Sequence, residues 1–290
     1  MTSLVAPALR AEADALGASL PALLAEADFL AQTVMMGEHG RRRAGQGDEF
    51  WQYRPAHSGD SARSIDWRRS ARADAHFVRE REWQAAQSVT LWVDPARSMA
   101  FAGAADRPTK AARAKVLALA LGILLLRGGE RVGLAGTAPR PGRAQIMALA
   151  AGLANDDPQD YGSPETLGMA AHGRAVFLSD FLGPLATLQA ALAEAGERGV
   201  RGVILQVLDP LEEEFPFQGR TVFESVGGTL AHETQSAADL RARYLARLAE
   251  RKAELARLAG AVGWHFHSHH TGHPAQSALL WAYRALEGGR

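Results

Sequence analysis

The sequence contains no cysteine. Disulfides, thiolate zinc sites, iron–sulfur clusters and a cysteine nucleophile are therefore excluded. The sequence also lacks a net charge, because 32 lysines and arginines balance 32 aspartates and glutamates. A neutral chain gives no general reason to expect nucleic acid or an anionic membrane surface as the partner. Hydrophobic residues make up 47% of the chain, which is enough for a globular protein with a buried core.

Long hydrophobic runs are also missing. The longest apolar run, from Val116 to Leu126, is shorter than the roughly 20 residues that a membrane-spanning helix needs. The first residues lack the basic start and apolar stretch of a secretory signal. We therefore expect a cytoplasmic protein without a membrane partner.

Short apolar strands alternate with helices from residue 86 onward. This pattern favours parallel pairing, with helices on both faces of the sheet. It predicts a doubly wound, mostly parallel α/β domain of Rossmann-like type over residues 86–290. Residues 1–85 are predicted to form a separate part, consisting of an acidic helical segment and an arginine-rich loop module.

Two aspartates follow predicted strands of this domain. Asp94 ends the strand Ser88 to Val93, and Asp180 ends the strand Arg174 to Ser179. Ligand sites of such folds lie beyond the carboxyl ends of the strands, so Asp94, Asp180 and Ser98 could together bind Mg²⁺. Alternatively, each aspartate accepts hydrogen bonds from the next backbone amides in an Asx turn or helix cap.

The segment Asp94-Pro95-Ala96-Arg97-Ser98 resembles the metal-ion-dependent adhesion site of von Willebrand factor A domains. That motif reads Asp-x-Ser-x-Ser and is completed by a later Thr and a later Asp. Ala96 stands where the motif has its first serine. The resemblance implies Asp180 as the late aspartate and Ser163 or Thr166 as the threonine equivalent, with Thr166 included in the expected Mg²⁺ site.

A longer resemblance lies upstream of this motif. It comprises Gly47-Asp48-Glu49-Phe50, Tyr53-Arg54, Ser58 to Arg72, Val78-Arg79-Glu80 and Trp83. These segments resemble the signature of the domain of unknown function 58 family, which is similar to von Willebrand A proteins. The resemblance implies a binding protein rather than an enzyme. Its implied partners are a MoxR-type AAA+ ATPase and a client protein that the pair assembles or activates.

The arginine-rich module contains ten arginines and six acidic residues between Arg41 and Arg81. These residues could form an internal ion-pair network, or they could present a surface to an acidic partner. The candidate partner-binding residues are Arg54, Asp60, Arg63, Asp66, Trp67, Arg68 and Arg72. Nucleic acid is a weaker alternative, because the excess of positive charge is small.

Three further features of the sequence bear on its function. His265, His267 and His269 would share one face of a strand and could bind zinc, although a strand leaving the core explains them more simply. The run Glu212-Glu213-Glu214 is interpreted as a solvated loop. Asp94 and Asp180 could instead serve a metal-assisted hydrolase, but the sequence offers no general base for that reaction.

Overall fold

The protein divides into two compact units. The computed structural model describes residues 22–35, 50–58, 61, 65–72, 75–81, 86–155, 159–224 and 231–287. One unit comprises residues 1–37 and 87–290, and the other comprises residues 38–86. The sequence predicts that the N-terminal helical segment groups with the arginine-rich module, whereas the contacts group it with the first unit. Ala27, Ala31 and Val34 of the helix α1 (22–35) are buried in the core of the α/β unit instead.

The larger unit is built on a five-stranded parallel sheet. Its strands are β3 (Ser88–Val93), β4 (Arg131–Leu134), β5 (Arg174–Ser179), β6 (Arg201–Leu208) and β9 (His265–His270). They lie in the order β4-β3-β5-β6-β9, and every neighbouring pair is parallel. The predicted mixed α/β fold with a mostly parallel sheet is confirmed.

Helices cover both faces of this sheet. The helices are α3 (Lys110–Arg127), α4 (Ala144–Leu153), α5 (Ala186–Glu197), α6 (Pro210–Glu214), α7 (Ala237–Ala261) and α8 (Ala275–Glu287). Residues of α1, α3, α4 and α8 pack against one face, and residues of α5 and α7 pack against the other. The inner strands β3, β5 and β6 are largely apolar on both sides, as expected for strands that are buried on both faces.

The longest apolar run of the sequence lies within helix α3. Twelve of its eighteen residues are buried between the sheet and the neighbouring helices. Among the described residues, no helix combines the length and the apolarity that a membrane span requires.

The region after β6 contains a second, smaller sheet. Its first strand is β7 (Thr221–Glu224). It does not join the central sheet, because it pairs in antiparallel fashion with β8 (Ala231–Thr234). Residues 212–214, predicted as a solvated loop, belong to the short helix α6.

The smaller unit contains a two-stranded antiparallel sheet and a short helix. Strand β1 (Phe50–Pro55) pairs with β2 (Phe77–Arg81), and α2 (Trp67–Ser70) lies between them in sequence. Ser70 joins these elements, because its hydroxyl donates to the Asp66 carbonyl and accepts from the Phe77 amide.

Candidate functional site

The two predicted aspartates come together at the point where the strand order reverses. From β3 the chain passes first to β4 on one side and then to β5 on the other. Val93 is in register with Leu178, so Asp94 and Asp180 leave adjacent strands at the same edge. In folds with this strand order, that reversal forms the crevice where ligands bind.

Asp94 is held in place by several donors and is only 2% exposed. Its Oδ2 accepts from Ser179 Oγ at 2.6 Å, and its Oδ1 accepts from the Ala96 amide at 2.9 Å. The second contact is the Asx turn that the sequence offers as an alternative to metal binding. Burial raises the pKa of Asp94, and the nearby charge of Asp180 raises it further, although the hydrogen bonds oppose the shift.

Asp180 forms an ion pair that the sequence does not predict. Its Oδ2 lies 2.8 Å from Lys110 Nζ, and its Oδ1 accepts from the Leu182 amide. Lys110 Nζ also lies 2.6 Å from Glu212 Oε1. Both Lys110 and Asp180 are 1% exposed. Burial alone would lower the pKa of Lys110, but the charges of Asp180 and Glu212 outweigh it and raise that pKa.

Helix α6 is what brings Glu212 into this network. Asp209 and Glu212 form a capping box, in which Glu212 Oε2 accepts from the Asp209 amide at 2.8 Å. Asp209 is fully buried and also accepts from the Gly103 amide and from Thr271 Oγ1. Burial raises the pKa of Glu212 despite the opposing charge of Lys110. Glu212 is therefore part of a buried charge network and not of a solvated loop.

The remaining residues of the predicted metal site are placed differently. Ser98 is buried in the short 3₁₀ turn Arg97–Ala100, and its hydroxyl has no hydrogen-bond partner. Thr166 has another role, because its hydroxyl donates to Glu194 Oε2 in α5 at 2.6 Å. Ser163, the other candidate, is exposed.

The space beside the two aspartates is small. A cavity of about 20 Å³ is lined by Asp94, Tyr161, Ser179 and Asp180, among others. Such a volume holds about one water molecule. A magnesium ion prefers six oxygens and usually keeps several waters, and Ala96 supplies no oxygen. Apart from the hydroxyl of Ser98, the residues present do not fit the expected Mg²⁺ site.

The candidate partner-binding residues of the arginine-rich module belong to the smaller unit. Trp67, Arg68 and Arg72 are exposed in or directly after α2. Asp66 is the N-cap of that helix, since its Oδ1 accepts from the Arg69 amide at 3.0 Å. Arg54 lies in β1. Asp60 and Arg63 lie outside the described residues.

The histidines of β9 have structural partners. His269 is buried, and its Nε2 lies 3.0 Å from Arg113 Nη1 of α3. His267 stacks on Trp281, with ring centroids 4.7 Å apart. Across the part of the chain that the structure describes, no group of three His or acidic side chains is arranged to hold a metal ion. The geometry therefore favours the simpler explanation, in which these histidines belong to a strand that leaves the core.

Lys110, Ser179 and Glu212 are the residues of the site that sequence reasoning missed. Lys110 did leave a signal, since it is one of only three lysines in an arginine-rich chain. It also stands at the first position of an apolar helix, where the helix dipole disfavours a cation. Glu212 left a weaker signal, the Asp209-x-x-Glu212 spacing of a capping box around Pro210.

Fold and site together define a parallel α/β protein with a closed charge network at its switch point. The model of the family described as "Protein of unknown function DUF58" matches residues 52–254, and the chain belongs to this family. An uncharacterized protein of Mycobacterium tuberculosis is 27% identical over 247 residues, which cover 79% of this chain and 77% of that protein. An uncharacterized protein of Mycobacterium bovis matches to the same extent.

Two solved structures are similar to this chain. One is an aerotolerance-related membrane protein from Bacteroides fragilis, with a TM-score of 0.43 and 16% identity. The match covers 70% of this chain and 99% of that one. The other is the conserved hypothetical protein BatB from Bacteroides thetaiotaomicron, with a TM-score of 0.39, 15% identity and the same coverage.

Proposed function

We propose that this protein is a binding adaptor with a von Willebrand A-like domain, and that it serves a MoxR-type AAA+ ATPase and a client protein. The observation that carries the proposal is the surface of α2. Trp67 is 56% exposed, and Arg68 and Arg72 are exposed beside it in sequence. Exposed tryptophan and arginine are the residue types that most often dominate binding energy in protein interfaces.

The chemistry of this surface suits an acidic partner. The guanidinium groups of Arg68 and Arg72 can each form a two-pronged contact with a carboxylate. Trp67 is held in place by an edge-to-face contact with His76, with ring centroids 5.4 Å apart. A large, positioned aromatic ring loses little entropy when it is buried by a partner, which favours binding.

The switch-point aspartates, Asp94 and Asp180, give less support to two other mechanisms, metal-mediated capture of an acidic side chain and metal-assisted hydrolysis. Capture of an acidic side chain through a metal ion needs an accessible ion, but Asp94 and Asp180 are buried and already hydrogen bonded. A metal-assisted hydrolase needs the same access, together with a base. The parallel fold and the paired strand-end aspartates support the von Willebrand A-like assignment without either chemistry.

The test is a binding titration with the purified MoxR-type ATPase of the same organism, with and without ATP. We expect Trp67→Ala to weaken binding on the order of tenfold, which equals about 1.4 kcal/mol. The double variant Arg68→Glu/Arg72→Glu should weaken it further, because two attractive charges become repulsive. Arg247→Glu, which changes an exposed arginine of α7, is the control and should bind normally. Absence of binding by the unaltered protein in every nucleotide state would refute the proposal.

A further inference from the structure

Lys110 occupies an electrostatically unfavourable position in its helix. It is the first residue of α3, after the N-cap Thr109, whose hydroxyl accepts from the Ala112 amide. The amino end of a helix carries a partial positive charge, so cations are usually found at the other end. The side chain nevertheless turns into the protein and is 1% exposed. A specific set of anions must therefore hold it there.

Those anions come from the elements that surround the switch point. Asp180 follows β5 and Glu212 belongs to α6, and their oxygens lie 2.8 Å and 2.6 Å from Lys110 Nζ. The Phe101 ring adds a weaker attraction, with its centroid 5.7 Å from Nζ. One ammonium group thus joins three segments that are distant in the sequence.

A divalent ion would need the same oxygens. In the metal site that the resemblance implies, Asp180 would contribute a carboxylate oxygen. Its Oδ2 already accepts a hydrogen bond from the Lys110 ammonium group, and its Oδ1 accepts one from the Leu182 amide. A second cation within bonding distance of Asp180 would be strongly repelled by Lys110, since burial leaves little water to screen the two charges.

We infer that Lys110 is a built-in cation that takes the place of a divalent metal ion and holds β5, α3 and α6 together without one. The shape of the site agrees with this role, because the cavity beside Asp94 and Asp180 has room for about one water molecule. The inference is separate from the partner surface on α2. Either can therefore fail while the other stands.

The experiment measures Mn²⁺ binding to the chelator-treated full-length protein by electron paramagnetic resonance, in which bound Mn²⁺ loses the signal of the free ion. We expect the unaltered protein to leave that signal unchanged, and Mg²⁺ to leave its melting temperature unchanged. Lys110→Ala removes the cation and leaves Asp180, Glu212 and Asp94 together. This variant should melt at a lower temperature and gain one bound Mn²⁺ per chain, which raises the melting temperature again.

Two variants complete the design. Asp180→Asn in the Lys110→Ala background should abolish the gained site, and Lys115→Ala, on the same helix, should gain none. If Lys110→Ala does not fold, Lys110→Gln replaces it, because glutamine keeps a donor for Asp180 without the charge. The inference is overturned if the unaltered protein binds Mn²⁺ in a manner that Asp94→Asn abolishes. It is also overturned if the folded Lys110 variant binds none.

Discussion

At the scale of single residues, the switch point depends on close contacts around Asp94. Gly162 is the clearest case. A Cβ atom at this position would lie 2.2 Å from Asp94 Oδ1 and 2.7 Å from its Cγ. Asp94 cannot easily retreat, because Ser179 and the Ala96 amide hold its two oxygens. Glycine is needed here for the close approach of backbone and carboxylate.

Gly162→Ala should therefore destabilise the protein by about 1–3 kcal/mol, the usual range for overpacking a tight site. The matched control is Gly260→Ala in α7, where an added Cβ meets nothing within 4 Å. That change should be neutral or stabilise by about 0.5–1 kcal/mol, since alanine favours a helix. Urea unfolding of the three proteins measures both effects. Equal stabilities for the two variants would contradict this account of Gly162.

At the scale of elements, Arg113 ties α3 to the end of β9. Its guanidinium donates to the Thr271 and His273 carbonyls and lies 3.0 Å from His269 Nε2. Because arginine can only donate, His269 must accept at Nε2 and stay neutral. Burial lowers the pKa of His269 to about 3, and the charge of Arg113 contributes to the shift.

This contact predicts a loss of stability in acid. In the unfolded chain the pKa of His269 is about 6.5. Between that pH and about pH 3 the unfolded state therefore binds up to one more proton than the folded state. The contribution of His269 is thus complete above about pH 6.5 and falls by up to roughly 4 kcal/mol as the pH decreases toward 3.

His269→Gln keeps an acceptor for Arg113 but does not titrate. We expect the free energy of unfolding of this variant to fall less steeply between pH 6.5 and 4 than that of the unaltered protein. Some slope should remain, because burial also lowers the pKa of His267 and His270. His265→Gln, at an exposed position of the same strand, serves as the control. Parallel pH profiles for His269→Gln and the unaltered protein would exclude His269 as the source.

At the scale of the whole molecule, the α/β unit is assembled from two stretches of chain that the arginine-rich segment separates. Helix α1 contributes Ala27, Ala31 and Val34 to the same core as α3. Small side chains let two helices approach closely. Arg127 of α3 adds an ion pair to Asp28, although this pair is partly exposed and contributes little.

A charge placed on the buried side of α1 tests this assignment. Ala31 is fully buried, whereas Ala25 in the same helix is exposed. Ala31→Asp should lower the free energy of unfolding of the α/β unit by about 3 kcal/mol or more, because it buries an unpaired carboxylate. Ala25→Asp should change it by less than about 0.5 kcal/mol. Similar melting curves for the two variants would show that α1 does not belong to this core.

Much of this architecture follows from local patterns in the sequence. Short stretches of sequence are enough to recognise the apolar strands before Asp94 and Asp180 and the apolar helix after Lys110, from their lengths and hydrophobic periods. Parallel pairing then places the two aspartates at one edge of the sheet. The grouping of the N-terminal helix does not follow from such patterns, because adjacency in sequence does not say which core an amphipathic face joins.

The sequence alone determined the alternating α/β pattern and the positions of the two aspartates, because both depend on neighbouring residues. Only the tertiary structure decided what those aspartates do. Lys110 contacts Asp180, which is 70 residues away in sequence, and Glu212, which is 102 residues away. No short sequence pattern predicts such contacts. Which charge balances a buried carboxylate depends on the residues that the fold brings next to it. Lys110 is therefore identified as the cation of this site only by the tertiary structure.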